Sequence, residues 1–155
     1  MTNDSTVTIR SATLADIPAI LALQRQSPTS AQWTEAQYRD FVSPDGRQRL
    51  MLAAEATTSG PLGLLVAHHI GTEWELENIV VAASSRCGGI GRRLVTALIE
   101  RAKQSNSETV FLEVRDSNVA ARALYEKCGF RQTGRRKSYY SNPLEDAILY
   151  RLNLS

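Results

Sequence analysis

The chain has 155 residues, 43% hydrophobic and 22% charged, a composition that suits one globular domain with a real core. Its net charge of only +2 supplies no strong attraction to nucleic acid or to an anionic membrane surface. No apolar run approaches the roughly 20 residues of a membrane helix. Residues 1–6 are polar and carry no signal-peptide core, so a cytoplasmic location is expected. Cys87 and Cys128 lie far apart and are expected to stay reduced there, and no Cys/His cluster has metal-ligand spacing, so no metal is expected.

Residues 7–10 read as a first strand. Thr13 and Asp16 have the spacing of a helix start, followed by a stripe of Leu14, Ile17, Ile20 and Leu21 that Pro28 ends. Thr34 and Gln37 have capping-box spacing ahead of an apolar face of Tyr38, Phe41 and Val42. Ser43-Pro44-Asp45-Gly46 reads as a turn. Residues 50–55 and 62–69 read as a hairpin joined around Ser59-Gly60-Pro61. His68 and His69 are neighbours on it, so they face opposite ways. Residues 73–82 form the next strand, which enters a glycine-rich turn and then a long helix with Ile90, Leu94, Ala97, Leu98 and Ala102 on one face. A strand over 109–115 follows. Ser117 is the expected N-cap of a helix whose stripe is Ala121, Leu124, Tyr125 and Cys128, closed by a left-handed Gly129. Residues 130–136 and 147–153 finish as two strands joined by a polar loop around Asn142-Pro143. The order is strand, two helices, three strands, helix, strand, helix, two strands. That is a mixed α/β sheet with helices on both faces, in a single domain over 1–155.

The glycine turn carries the first chemical signal. The first N–H groups of a helix have no internal partner, and the helix dipole adds positive charge there. Glycines let a bulky anion approach, because no Cβ stands in the way. Gly88, Gly89 and Gly91 at the entry of the long helix can therefore cradle a phosphate, or simply make a tight turn. A Walker A loop is excluded, since Arg92 and Arg93 follow Gly91. A dinucleotide fingerprint fails at Leu94, where Gly or Ala is required. What remains is Arg86-x-x-Gly89-x-Gly91 behind an Ile79-Val80-Val81 strand.

That pattern resembles the acetyl-CoA pyrophosphate loop of the GNAT acetyltransferase superfamily, whose element order the chain shares over nearly its whole length. Within it the chain resembles the ribosomal-protein alanine N-acetyltransferases, the RimI group. The residues that carry this are Trp33-Thr34-Glu35, Asn78-Ile79-Val80-Val81 and Leu112-Glu113-Val114-Arg115-Asp116-Ser117-Asn118. Ala120-Ala121, Leu124-Tyr125-Glu126-Lys127-Cys128-Gly129-Phe130, Tyr139-Tyr140 and Glu145-Asp146-Ala147 complete the set. The chain departs from the group at Ala82-Ala83, at Glu77, and at Cys87-Gly88, where polar or basic residues are usual.

The resemblance implies the GNAT acyl-CoA N-acyltransferase fold and direct acetyl transfer from acetyl-CoA to an amine. The acceptor it implies is the N-terminal α-amine of a ribosomal protein. A small-molecule amine, a lysine side chain, or a non-catalytic CoA-binding module are the alternatives. A peptide α-amine has a pKa near ~8 and must lose a proton, while the departing thiolate must gain one. The resemblance gives Glu113 the base role, through water, and Tyr125 the acid role. It places Val80, Val81, Ala82 and Asn118 along the CoA arm. The pyrophosphate falls to Arg86, Gly89, Gly91 and Arg92, and Cys87, Gly88 and Ile90 complete the cofactor-binding turn. Trp33, Glu75, Tyr139 and Tyr140 are the expected acceptor contacts, with Tyr139 and Tyr140 in a polar loop. Glu75 competes with Glu113 as base, whereas Glu73 and Glu77 read as a solvated acidic face. The ordinary readings are an ion-paired strand glutamate for Glu113, a core aromatic for Tyr125 and packing for Trp33. Arg135-Arg136-Lys137 reads as a solvated run. Cys87 at a helix N-terminus could be a nucleophile, but it would sit remote from the acetyl group. No direct nucleic acid contact is expected, and a monomer or weak dimer is.

Overall fold

The computed structural model describes residues 7–43, 48–56, 60–86 and 88–154. The elements are β1 (Val7–Ser11), α1 (Ile17–Arg25), α2 (Glu35–Val42), β2 (Arg49–Ala56), β3 (Gly60–Ile70), β4 (Glu73–Val81), α3 (Ile90–Gln104), β5 (Thr109–Arg115), α4 (Val119–Lys127), β6 (Arg131–Ser141) and β7 (Leu144–Asn153). They appear in the expected order. The strands form one sheet in the order β1-β2-β3-β4-β5-β7-β6. Only β4 and β5 run parallel; the other neighbours are antiparallel.

Helices cover both faces. On one, Ile17 and Ile20 of α1 and Tyr38 of α2 pack on Met51, Leu64 and Val66. On the other, Leu94, Val95, Leu98 and Ala102 of α3 and Tyr125 of α4 pack on Leu52, Leu65, Leu76, Leu112 and Ile148. Strand alternation produces this split, since Leu64 and Leu65 are neighbours that enter opposite clusters.

The β4–β5 contact positions everything that follows. The strands pair only at Glu73/Thr109, Trp74/Val110 and Glu75/Phe111. Beyond that they run on to Val81 and Arg115 without a shared register. A bulge lies just past the last pair: Ala67 faces Leu76 and Val66 faces Asn78, leaving Glu77 unmatched. The extra residue shifts the alternation. Leu76 and Ile79 therefore both face the α3 cluster, while Val80 turns to Leu23 of α1.

Several local expectations change. Leu14 is 54% exposed, because residues Leu14–Asp16 form a separate 3-10 turn ahead of α1. That helix ends at Arg25, before Pro28 is reached. The capping box of α2 is present: Gln37 N–H donates to Thr34 Oγ1 (3.1 Å), and Thr34 N–H donates to Gln37 Oε1 (2.9 Å). The N-cap of α4 is Asn118 rather than Ser117. Asn118 Oδ1 accepts the Ala121 N–H (3.1 Å), while the Ser117 N–H is spent on Glu145 (3.1 Å). The polar loop expected over 137–146 is mostly strand. It shrinks to Asn142-Pro143, whose peptide bond is cis, and Tyr139 and Tyr140 lie within β6. An edge strand exposed along nearly all its length shows no apolar alternation for a sequence reading to find. Apart from Ser43, the expected turn at 43–46 lies outside the described residues, as does Ser59 of the hairpin connection; Gly60 and Pro61 belong to β3.

The segment between α1 and α2 is fastened by one buried amide. Gln24 Oε1 accepts from the Tyr38 hydroxyl (2.6 Å) and the Trp33 N–H (3.0 Å), and Gln24 Nε2 donates to the Trp33 carbonyl (2.9 Å). Replacing Gln24 by Leu leaves three polar groups without a partner. The expected cost is about 3 kcal/mol in a denaturant titration, against about 1 kcal/mol for Tyr38→Phe.

Candidate active site

The parting strands open a cavity of about 770 Å³. One wall is β4 from Leu76 to Val81 and the other is the end of β5 from Glu113 to Arg115. Residues 26–31 after α1, the start of α4 with Tyr125, and Tyr140, Pro143 and Glu145 of the β6–β7 hairpin complete it. A second concavity of about 590 Å³ lies at the opposite end, among Lys103, Asn106, Glu108 and Asn153, and presents no comparable set of acids and phenols.

Main-chain groups of β4 face this opening. The Ala82 N–H donates to the Leu62 carbonyl (2.7 Å), and Val80 stands opposite Leu64 in the same ladder. Alternate residues of an antiparallel ladder turn their N–H and C=O the other way. Val81 is such a residue, and its carbonyl accepts from Arg86 Nε (3.2 Å) on the open side. Of Val80, Val81 and Ala82, it is Val81 whose main chain is directed into the gap, and Ile79 shares that direction.

At the mouth of the glycine turn, Gly89 has φ +83° and caps α3 without a side-chain hydrogen bond, so the first amides of α3 meet no capping group. Gly91 serves packing: a Cβ there would stand 3.1 Å from Leu124 Cδ2, so the glycine lets α3 and α4 approach. Gly88 and Arg92 are exposed, and Ile90 anchors the helix start in the core. Arg86 folds back onto Val81 and Ser27 Oγ (3.2 Å). Cys87 lies outside the described residues, and Cys128 is a free thiol raised by burial.

The carboxylates fall into distinct environments. Glu113 is ion-paired with Arg136 (Nε to Oε1, 3.0 Å), and its carboxylate beside the Tyr139 hydroxyl raises the Tyr139 pKa. Glu77 is not solvated. The bulge sets it beside Arg49 of β2, which donates through Nε (2.7 Å) and a second nitrogen (3.0 Å). Glu73 pairs with Arg151 rather than standing alone in water. Glu75 is raised by burial first, then by the nearby charges of Glu77 and Glu113. The basic run is likewise engaged: Arg135 reaches Asp116 (2.8 Å) and Asp146 (2.9 Å), and Arg136 holds Glu113.

Three tyrosines close the site. Tyr125 is 4% exposed, and burial holds its hydroxyl protonated well above the ordinary phenol range. Tyr140 lies under the Arg115 guanidinium (4.3 Å), with its pKa pushed up to about 12 by burial and by Glu113. Tyr139 packs edge-on against Tyr140, with ring centroids 5.1 Å apart. Trp33 is elsewhere, edge-on to Tyr38 (5.8 Å) and Phe41 (5.2 Å) in the α1–α2 cluster. The structure thus brings Glu113, Tyr140 and Tyr125 into one cavity, sets Glu75 and Tyr139 beside Glu113, and packs Trp33 away from them. Asn118 is occupied as the α4 cap. Sequence reasoning assigned no role to Asn78, Arg115, Glu145 or the 26–31 segment. Asn78 carried a signal, being the polar residue in the otherwise apolar row of Trp74, Leu76 and Val80.

Residues 17–130 match the Acetyltransferase (GNAT) family. The chain is 32% identical over 151 residues to the [ribosomal protein bS18]-alanine N-acetyltransferase of Escherichia coli (strain K12), covering 96% of this chain and 98% of that one. The crystal structure of the ribosomal-protein-S18-alanine N-acetyltransferase from Escherichia coli superposes with a TM-score of 0.83 at 29% identity, covering 96% of this chain and 94% of that one. A spermidine N-acetyltransferase variant from Vibrio cholerae also superposes with a TM-score of 0.83, at 20% identity over 98% of this chain and 96% of that one, which is a likeness of fold alone.

The raised Glu75 has a consequence for stability. Its ionised form is disfavoured in the folded chain, so that cost is present above the folded pKa and vanishes below the ordinary value of 4.5, where both states are protonated. Glu75→Gln is therefore expected to stabilise the protein at pH 7, with the gain fading as the pH falls to about 4, in denaturant titrations across that range.

Proposed function

The chain belongs to the GNAT acetyltransferase family and is an acetyl-CoA-dependent N-acetyltransferase; from that premise we propose that its acceptor is the N-terminal α-amine of a protein, a ribosomal protein above all. The observation that carries this reading is the pairing of an acidic, tyrosine-walled acceptor side with a buried phenol across the same gap. The similarity to bS18-alanine acetyltransferases over nearly the whole chain supports it.

Acetyl-CoA supplies an activated acetyl group, and the open edge of β4 fits its extended arm. Val81 offers main-chain groups there, and its N–H is placed to stabilise the thioester carbonyl oxygen. The uncapped start of α3, with Arg86 and Arg92, fits the pyrophosphate. Glu75 and Glu113 draw the acceptor's ammonium into the gap, and Glu113 removes its proton. The Arg136 and Tyr139 contacts fix the direction of the Glu113 carboxylate. Tyr125 is kept protonated by burial, so its hydroxyl holds the proton that the departing thiolate needs. Tyr139 and Tyr140 form the wall along which the acceptor chain lies.

One observation favours a second assignment of the base. Glu75 is raised by burial and by like-charged neighbours, which makes its carboxylate more basic than an ordinary glutamate.

Glu113→Gln and Tyr125→Phe are each expected to lower kcat by about 10²–10⁴ with acetyl-CoA binding retained, measured on a peptide library with free N-termini by mass spectrometry. Full turnover in both variants overturns the assignment. Loss of turnover in Glu75→Gln alone transfers the base role to Glu75, and exclusive acetylation of lysine or free polyamines overturns the α-amine reading.

A further inference from the structure

Two buried side-chain donors lack a hydrogen-bond partner among the described residues, Asn78 Nδ2 and Arg115 Nε. Both line the same cavity, one on each of the parted strands. Buried polar groups are ordinarily paired, and an unpaired one is costly to keep. Asn78 is only 8% exposed, and the residue opposite it in the ladder is Val66, which is fully buried. Leu would suit that position better if packing were its only task. Arg115 has a holding task as well: its terminal nitrogen donates to the Pro143 carbonyl (3.1 Å) and Glu145 (3.4 Å). Asn78 has none.

The bulge at Glu77 decides what Asn78 can meet. It turns Asn78 and Val80 to the α1 side of the sheet, beside the 26–31 segment. Glu75, three positions earlier, and Glu113 across the gap are close enough to perturb one another electrostatically. A cationic amine held by those carboxylates brings whatever is bonded next to it toward Asn78. In a polypeptide, the first carbonyl is two bonds from the α-amine. The terminal torsion of an asparagine is broad and roughly two-fold, so its N–H end turns to the cavity at little cost.

We propose that Asn78 donates to the first main-chain carbonyl of the acceptor, so that the site selects an amine followed by a peptide bond over one that lacks it. The inference rests on the α-amine reading above and names the group that recognises the acceptor. Glu113 and two unpartnered donors line one cavity, with Glu75 beside Glu113, and together they complement an ammonium followed by carbonyl oxygens. An alkyl polyamine offers the ammonium and leaves both donors unpaired.

The test uses two acceptors, a short peptide with a free N-terminal alanine and the same peptide with its first peptide bond replaced by a trans-alkene. The alkene keeps the shape and removes the carbonyl. The wild-type enzyme is expected to favour the peptide by about tenfold in kcat/KM, and Asn78→Leu and Asn78→Ala to bring that ratio close to one. Damage to the fold moves both acceptors together and leaves the ratio, so the ratio isolates the hydrogen bond. A wild-type enzyme with no preference, or variants that keep it, overturns the role of Asn78 alone. A wild-type enzyme that acetylates polyamines and neither of the two acceptors overturns the α-amine reading and this inference with it.

Discussion

The molecule depends on one broken ladder. Parallel strands are normally buried and fully paired, yet β4 and β5 share a register only through Glu75 and Phe111. Past that point two strand edges face one another without hydrogen bonds between them, and such edges readily accept another extended chain. The parting is held by the bulge at Glu77, which re-aims β4 as it leaves its partner. Close approach of α3 and α4 at Gly91 and Leu124 then packs Tyr125 into the core beside the gap. An opening made this way is part of the sheet's geometry and needs no lid.

The charges around the opening follow from the same geometry. Glutamates at alternate positions of β4 would form a uniform acidic row on a regular strand. The bulge breaks that row, and each carboxylate finds a different environment. Glu77 is neutralised by a two-pronged Arg49, Glu73 by Arg151, and Glu113 is shared between Arg136 and Tyr139. Glu75 keeps the unfavourable environment, with burial and two like charges acting on it. The half-exposed pairs of Glu73 and Glu113 contribute little to stability, so their effect here lies in fixing orientation. The energetic tension is left on the group closest to the strand divergence, where any cation that enters the gap would relieve it.

The order of elements was legible because apolar periodicity survives wherever a strand or helix buries one face, as in α3 and β5. It failed where burial fails. The hairpin of β6 and β7 extends through residues that read as a polar loop, because its outer strand is almost wholly exposed. Likewise the α4 cap moved one residue, since Ser117 and Asn118 are both good caps and a distant Glu145 decided between them. Tyr125 and Glu113 were legible through a motif, and their partners were not. Arg136 was read as solvated, Glu77 as an exposed acid and Trp33 as a groove wall. Each depends on which strands become neighbours, and a bulge cannot be seen in a single strand's pattern.

The parts that surround the opening are tied down by polar side chains. Gln24 fastens the segment after α1 through the Trp33 main chain. Arg115 and Glu145 tie the β6–β7 hairpin to the end of β5 and the start of α4. Arg86 joins the glycine turn to Val81 and, through Ser27, to the first wall. Residues far apart in sequence are thus fixed to one frame by short polar bridges, while the apolar clusters beneath carry the folding energy. Changes in the clusters act mainly on stability, and changes in the bridges act mainly on where a wall stands. Bridges and wall residues such as Asn78 can therefore change the shape and chemistry of the opening while the core beneath stays as it is.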